Sequence, residues 1–409
     1  MTATTTAPAR PEGTDGTGAP ARSATVQWLA VLSVMLGIFS IVTTEILPIG
    51  LLTAIGADFT VSDGMAGLMM TMPGFLAALA APLVTTATAR VDRRSVLCAL
   101  LLLLAVANGL AAVAPDYWLV LVSRVLVGVT IGGFWSIGAG LAGRLVPARK
   151  AGRAVSVIFS AVPLGSVLGV PAGTFVGEAA GWRAAFAVMA ALTLGVLVLM
   201  LAVMPPLPPG GATRPGVLGG LLRTARTRSA LLLTFLVVLA HFGAYTYVTP
   251  FLQQVTGAGA GLVTVLLLVY GAAGIAGNFL GGALAARHPR TGLGGAAALL
   301  GCATLLLPVL GGSTAGAAAL LIVWGVAYGA VPVASSTWFA RAAPGEPEAA
   351  SVLFTASFQA TVSLGALVGG SVVDRTSPSA VMTLGGLTAA LATLAVAVDF
   401  AIVRTRSRT

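Results

Sequence analysis

Three ionisable side chains sit where charge is expensive. Glu45, Arg124 and His241 each fall inside a long apolar run. A bare charge at the centre of a hydrocarbon layer costs roughly 3 kcal/mol on insertion scales, so each is expected to face a bundle interior or a wet cavity. Glu45 can be protonated from one side and deprotonated when another ligand binds, the cycle that proton-coupled exchange needs. Its plainer alternative is an acid near the outer end of its helix, solvated or capping a loop. Arg124 carries five N–H donors and a permanent charge. A structural ion pair or a hydrogen-bonding role suits it, and Glu45 is a candidate partner. The imidazole of His241 donates to one partner, accepts from another and titrates near physiological pH. That suits substrate binding or proton handling, and a histidine satisfied by a neighbouring helix fits as well.

Around these three stand groups that suit a small organic ligand. Tyr245 follows His241 by one turn and shares its face. Tyr247 points elsewhere by spacing, unless the helix breaks before Pro250. Asn108, Asn278 and Gln359 are polar groups inside apolar runs and candidates for a cavity wall. Interhelical hydrogen bonding, worth about 1 kcal/mol, is the alternative. Phe134, Trp135, Trp324, Tyr328 and Trp338 can stack on a planar ligand such as a nucleobase. Core packing explains any single one of them, and Trp338 stands near a helix end, where an interface anchor belongs.

The elements that position these residues are membrane helices. Of 409 residues, 57% are hydrophobic and 8% charged, against roughly 25% charged in soluble domains. Runs long enough to span a bilayer are predicted at 26–50, 64–86, 95–114, 117–142, 152–176, 183–204, 229–252, 260–285, 292–311, 314–339, 349–372 and 379–403. The fold class is therefore all-α, with twelve transmembrane helices in two pseudo-symmetric six-helix bundles, 26–204 and 229–403. Residues 1–25 read as a disordered cytoplasmic tail, 205–228 as a cytoplasmic linker opening on Pro-Pro-Leu-Pro-Pro-Gly-Gly, and 404–409 as a short tail.

All Lys and Arg residues except Arg124, Arg183 and Arg375 fall on one side of this arrangement. The positive-inside rule makes that side, with both termini, cytoplasmic. Arg183 and Arg375 each lie near an acid in sequence, Glu178 and Asp374. The net charge of +10 is then topology and contact with anionic lipid, not a nucleic-acid surface. Asp399 is expected to pair locally with terminal arginines.

The chain also repeats itself. Gly128, Gly132, Arg144 and Pro147 recur 197 residues later as Gly325, Gly329, Arg341 and Pro344. Ser156–Phe159 recurs as Ser351–Phe354, and Gly169 and Gly173 recur as Gly365 and Gly369, at offsets of 195 and 196. A near-constant offset fits a duplicated six-helix unit around a central site.

Several chemistries are excluded. No phosphate-binding glycine loop followed by Lys and Ser or Thr is present, so ATP is not the expected energy source. No His/Cys cluster suggests a metal, and Cys98 and Cys302 read as small membrane-embedded residues. No soluble stretch is large enough for an enzyme domain. No cofactor is expected.

The motifs carry a resemblance over about 26–403. Thr44-Glu45-Ile46-Leu47-Pro48-Ile49-Gly50-Leu51-Leu52 is similar to the sugar- and nucleoside-efflux relatives of the major facilitator superfamily. Arg124-Val-Leu-Val-Gly128 resembles the intramembrane arginine motif of its twelve-helix drug–proton antiporter branch. Gly165-Ser-Val-Leu-Gly169-Val-Pro171-Ala-Gly173-Thr-Phe-Val-Gly177, followed by Gly181-Trp182-Arg183, resembles the antiporter motif that marks exporters. Arg144-Leu-Val-Pro147, Ser156-Val-Ile-Phe159, Trp324-Gly325, Val331-Pro-Val333 and Ser336-Thr-Trp338 resemble purine-ribonucleoside efflux pumps. The loop between helices 2 and 3 departs from the family: Thr85, Ala89 and Asp92 replace Gly, Asp and Gly, while Arg93 and Arg94 remain.

This resemblance implies a secondary exporter driven by the proton gradient, acting as a monomer in the cell membrane on a nucleoside, sugar or similar small solute. Glu45 and Arg124 would handle the proton. His241, Tyr245, Trp135, Asn108, Asn278, Tyr328 and Gln359 would line the cavity. Gly165, Gly169, Pro171 and Gly173, with Asp92, Arg93 and Arg94, would gate it. The glycines of helix 5 are expected against helix 8 (Gly271, Gly274, Gly277). A multidrug pump, a passive uniporter and a non-transporting receptor are the alternatives.

Overall fold

A computed structural model describes residues 23–138, 141–208, 220–285, 287–342 and 347–406. The expected tail up to residue 22, the linker residues 209–219 and residues 407–409 lie outside the described residues. Among the described residues, twelve helices are long and apolar enough to cross a membrane. They are α1 (Ala24–Phe59), α2 (Asp63–Ala87), α3 (Arg93–Ala112), α4 (Tyr117–Gly138), α5 (Ala161–Ala180) and α6 (Trp182–Val203), then α7 (Ala225–Tyr245), α8 (Ala260–Ala285), α9 (Pro289–Leu310), α10 (Thr314–Ala342), α11 (Pro347–Arg375) and α12 (Pro378–Arg406). Among the described residues there is no strand. Large apolar side chains such as Leu79, Val113, Val198, Phe279 and Val309 stay exposed on the bundle's outside, where only lipid makes them favourable.

Three boundaries differ from the sequence expectation. Helix 1 does not stop at residue 50. Pro48 removes one backbone N–H, but Ile49, Leu51, Leu52 and Ile55 beyond it are buried, and that burial carries α1 on to Phe59. Thr60 then ends it in the left-handed conformation at φ 54°. Glu45 is therefore more than three turns from either end of α1. Helix 5 is broken at Ser160 into an amphipathic helix, Ala148–Phe159, and α5 proper. The amphipathic helix buries Ala154 and Ile158 and exposes Arg149 and Arg153. Helix 7 ends at Tyr245, and a short helix, Val248–Gln254, carries Pro250.

The repeat seen in the sequence is a repeat of contacts. Gly128 on α4 packs against Pro73 of α2, and Gly132 against Ala77. At the 197-residue offset, Gly325 packs against Tyr270 and Gly329 against Gly274. Gly169 on α5 meets Thr43 and Ile46 of α1, and Gly173 meets Leu47. At an offset of 196, Gly365 meets Leu239 and Phe242, and Gly369 meets Gly243. The seam between the first six and last six helices repeats too: Gly74 of α2 abuts Ser363 of α11, as Gly271 of α8 abuts Val167 of α5.

These contacts correct one expectation. The glycines of α5 do not face α8; they seat α5 on α1 within the same half. A side chain at Gly169 would begin 3.1 Å from Ile46, so the helices approach this closely only because the position is bare. Gly274 and Gly277 likewise seat α8 on α10.

The apolar core differs at the two ends. At the arginine-rich end it divides into one cluster built only from the first six helices and their connections and another built only from the last six. At the arginine-poor end the clusters mix the halves: Ile49, Met70 and Val170 join one, and Tyr247, Val373 and Val381 join the other. Polar contacts close the same end. Asp374 of α11 accepts from Ser62 Oγ (2.6 Å) and from the Gly64 backbone N–H (2.8 Å) at the start of α2. A carboxylate at a helix N-terminus is favourable. Glu178, its counterpart 196 residues earlier, stands beside Gly261 at the start of α8. Gln254 donates to Asp63, Thr249 to the Ile49 carbonyl and Thr264 to Thr174.

Candidate functional site

The 196-residue offset that matches α1 to α7 places Glu45 and His241 at equivalent positions of the two halves. Gln359 of α11 donates its amide to Glu45 Oε1 at 2.8 Å, a bond that joins the halves and is charge-assisted whenever the carboxylate is ionised. Gln359 is buried and Glu45 is partly exposed. A mid-helix acid bonded to the opposite half cannot face lipid, so that exposure is to internal space.

His241 is the centre of an aromatic cluster. Its ring stacks on Tyr328 of α10, with centroids 3.3 Å apart and planes within 7°. Tyr245 lies 5.0 Å away on the other side and stacks on Tyr270 of α8 at 4.5 Å. Trp324 stands edge-on to His241, Tyr245 and Tyr270. The Trp324 indole N–H donates to His241 Nδ1 at 3.1 Å, so the proton of the neutral imidazole is assigned to Nε2. The hydroxyls of Tyr245, Tyr270 and Tyr328 make no hydrogen bond among the described residues, which leaves them to water or a ligand.

Arg124 and Asn108 do not join this cavity face. Both are fully buried, and both turn to Thr44, the residue before Glu45. Arg124 Nη1 donates to the Thr44 carbonyl at 3.0 Å, and Asn108 Nδ2 donates to Thr44 Oγ1 at 3.0 Å. Arg124 makes no ion pair with Glu45; its guanidinium lies 5.0 Å from the Phe186 ring centroid. Arg183 forms its ion pair with Asp58 of α1, at 2.5 Å, and not with its sequence neighbour Glu178.

The remaining candidates are scattered. Trp135 packs against Phe159 of the amphipathic helix, centroids 6.2 Å apart, away from the aromatic cluster. Asn278 is partly buried on α8 and has no described side-chain bond. Asp92 caps α3 by accepting from the Arg94 N–H at 2.9 Å. Arg93 donates to Thr88, and Arg94 to the Leu201 carbonyl at the end of α6. These loop contacts stay within the first half. The carbonyl freed by Pro171, that of Val167, faces Gly271 across the seam. Sequence reasoning missed Tyr270, Thr44 and the Glu45–Gln359 bond. The repeat offset, extended to helices 1 and 7, was the signal that aligns Glu45 with His241.

The family model described as Major Facilitator Superfamily matches residues 34–359. The chain belongs to this superfamily. It is a multi-pass membrane protein of a transporter family, not of an enzyme family. A Pseudomonas aeruginosa protein named transcription regulatory protein OpdE is 34% identical over 354 residues, 85% of this chain and 88% of that protein. The Escherichia coli purine ribonucleoside efflux pump NepI is 32% identical over 370 residues, 90% of this chain and 93% of the pump. Among solved structures, a bacterial homologue of the human lysosomal transporter Spinster, inward-facing and occupied, aligns with a TM-score of 0.72 at 16% identity. That alignment covers 96% of this chain and 98% of the other, and it shows the shared fold.

Proposed function

We propose that this transporter is a proton-coupled exporter of a purine ribonucleoside or a similar flat, polar solute. It would sit in the cell membrane with its arginine-rich end, and both termini, in the cytoplasm. On that orientation the fused core at the arginine-poor end is the outer seal, and the central space communicates with the cytoplasm. The observation that carries the reading is the Glu45–Gln359 bond between the halves, taken together with the His241–Tyr328 stack at the equivalent position of the second half. A nucleobase offers a π-face to the tyrosines and polar edges to the carboxylate and amide. A ligand that takes up Glu45 and Gln359 replaces their direct bond and frees the halves to rearrange. Protonation of Glu45 from the outer side turns a charged bond into a weaker neutral one, which returns the empty carrier. The purine pump at 32% identity supports the substrate class.

The test is uptake of labelled adenosine or inosine into inside-out vesicles, with and without an acid lumen. Gradient-dependent uptake that Glu45→Gln abolishes is the expected result. Undiminished uptake after the gradient is collapsed would reduce the protein to a uniporter. One observation favours a second reading, the regulatory name of the Pseudomonas relative. In that case a panel of solutes, antibiotics included, shows no uptake at all.

A further inference from the structure

We infer that Arg124 caps a backbone carbonyl that Pro48 leaves open in α1, and that through this cap α4 holds Glu45 in place. A proline inside a helix lacks the N–H that would bond the carbonyl four residues earlier. For Pro48 that carbonyl belongs to Thr44, which directly precedes Glu45. An open carbonyl inside a membrane bundle is costly, and a neighbouring helix commonly supplies the donor. The donor here is Arg124 Nη1, 3.0 Å from the Thr44 oxygen. Thr44 and Arg124 are both fully buried, and Asn108 holds the Thr44 hydroxyl from a third helix. Arg124 is thus a positioning residue, set behind the acid and not beside it.

The molecule contains its own control. At the offsets established by packing, Pro48 corresponds to Ala244, Thr44 to Ala240 and Arg124 to Leu321. Ala240, Ala244 and Leu321 are all buried. Ala244 keeps its N–H, so the Ala240 carbonyl needs no outside donor, and the capping position holds an apolar side chain. The arginine is present where the proline is present and absent where it is absent. A counter-ion role does not account for Arg124, because it forms no ion pair among the described residues.

The test is a double-mutant cycle of wild type, Arg124→Ala, Pro48→Ala and the pair, with Arg124→Lys as the donor-retaining variant. The first readout is heat resistance of the purified proteins in detergent, which does not depend on what the protein transports. Arg124→Ala should lower the melting temperature when Pro48 is kept. It should lower it much less in the Pro48→Ala background, where the restored backbone N–H bonds the Thr44 carbonyl. Arg124→Lys should recover part of the loss. The second readout is nucleoside export. Arg124→Ala should lower kcat about tenfold, the size of one lost bond to a charged donor, and leave KM unchanged because Arg124 does not reach the cavity. If Arg124→Ala fails to accumulate in membranes, Pro48→Ala should restore it. Equal losses in both backgrounds, or no restoration by Pro48→Ala, would overturn the inference.

Discussion

Glu45 and His241 occupy the same place in two copies of one six-helix unit, yet their surroundings are opposites. Behind Glu45 the first half assembles polar donors, Arg124 and Asn108, around one threonine. Around His241 the second half assembles rings, with a single tryptophan N–H as the polar tie. Symmetric glycine contacts hold both sites at the same depth, so the scaffold could keep its geometry while the side chains diverged. The contrast points to a division of labour: one half is equipped to hold a charge in place, the other to present flat surfaces. The two meet where Gln359 of the second half bonds Glu45 of the first.

Substitutions can disrupt that division, and their effects should fall in a definite order. Glu45→Gln should have the largest effect, removing gradient-driven export while leaving the protein in the membrane; vesicle uptake checks it. Gln359→Leu comes next. It strips Glu45 of a charge-assisted bond worth about 1.5–3 kcal/mol, so export should fall roughly tenfold or more, and the acid dependence of the rate should change with it. Tyr328→Leu should weaken nucleoside binding by about 1 kcal/mol of lost stacking, a several-fold rise in KM with little change in gradient dependence. Trp324→Phe should have the smallest effect. It keeps the edge-on ring and removes only the N–H to His241, about 1 kcal/mol, and should change KM by a few-fold at most. A Trp324→Phe effect on gradient dependence equal to that of Glu45→Gln would erase the distinction between the halves.

Much of the fold was legible in the sequence because lipid imposes a strict rule, twelve long apolar runs with basic residues at one end. Two of the three misread boundaries lie near prolines. Pro48 and Pro250 are local signals, and burial of the residues after Pro48 overrode one while the break at Tyr245 came before the other. Of the site, the buried ionisable residues announced themselves by type. Their partners did not, because Thr44, Gln359 and Tyr270 look ordinary until tertiary packing brings them in. Arg124 illustrates the limit: its type invited an ion pair with Glu45, but its partner is a carbonyl, and carbonyls leave no mark in a sequence. The glycines of α5 were legible as a packing face, but not which helix they faced.

On the proposed reading two roles stand at the centre of this transporter: Glu45 exchanges the proton, and the His241 cluster recognises the solute. Both are tested together by proton release from the purified transporter in weakly buffered detergent solution when inosine or adenosine is added. Wild type should release protons on saturation. Glu45→Gln should bind nucleoside and release none, and His241→Phe should bind more weakly yet release as much as wild type once saturated. Proton release by Glu45→Gln, or none from saturated His241→Phe, would contradict the division.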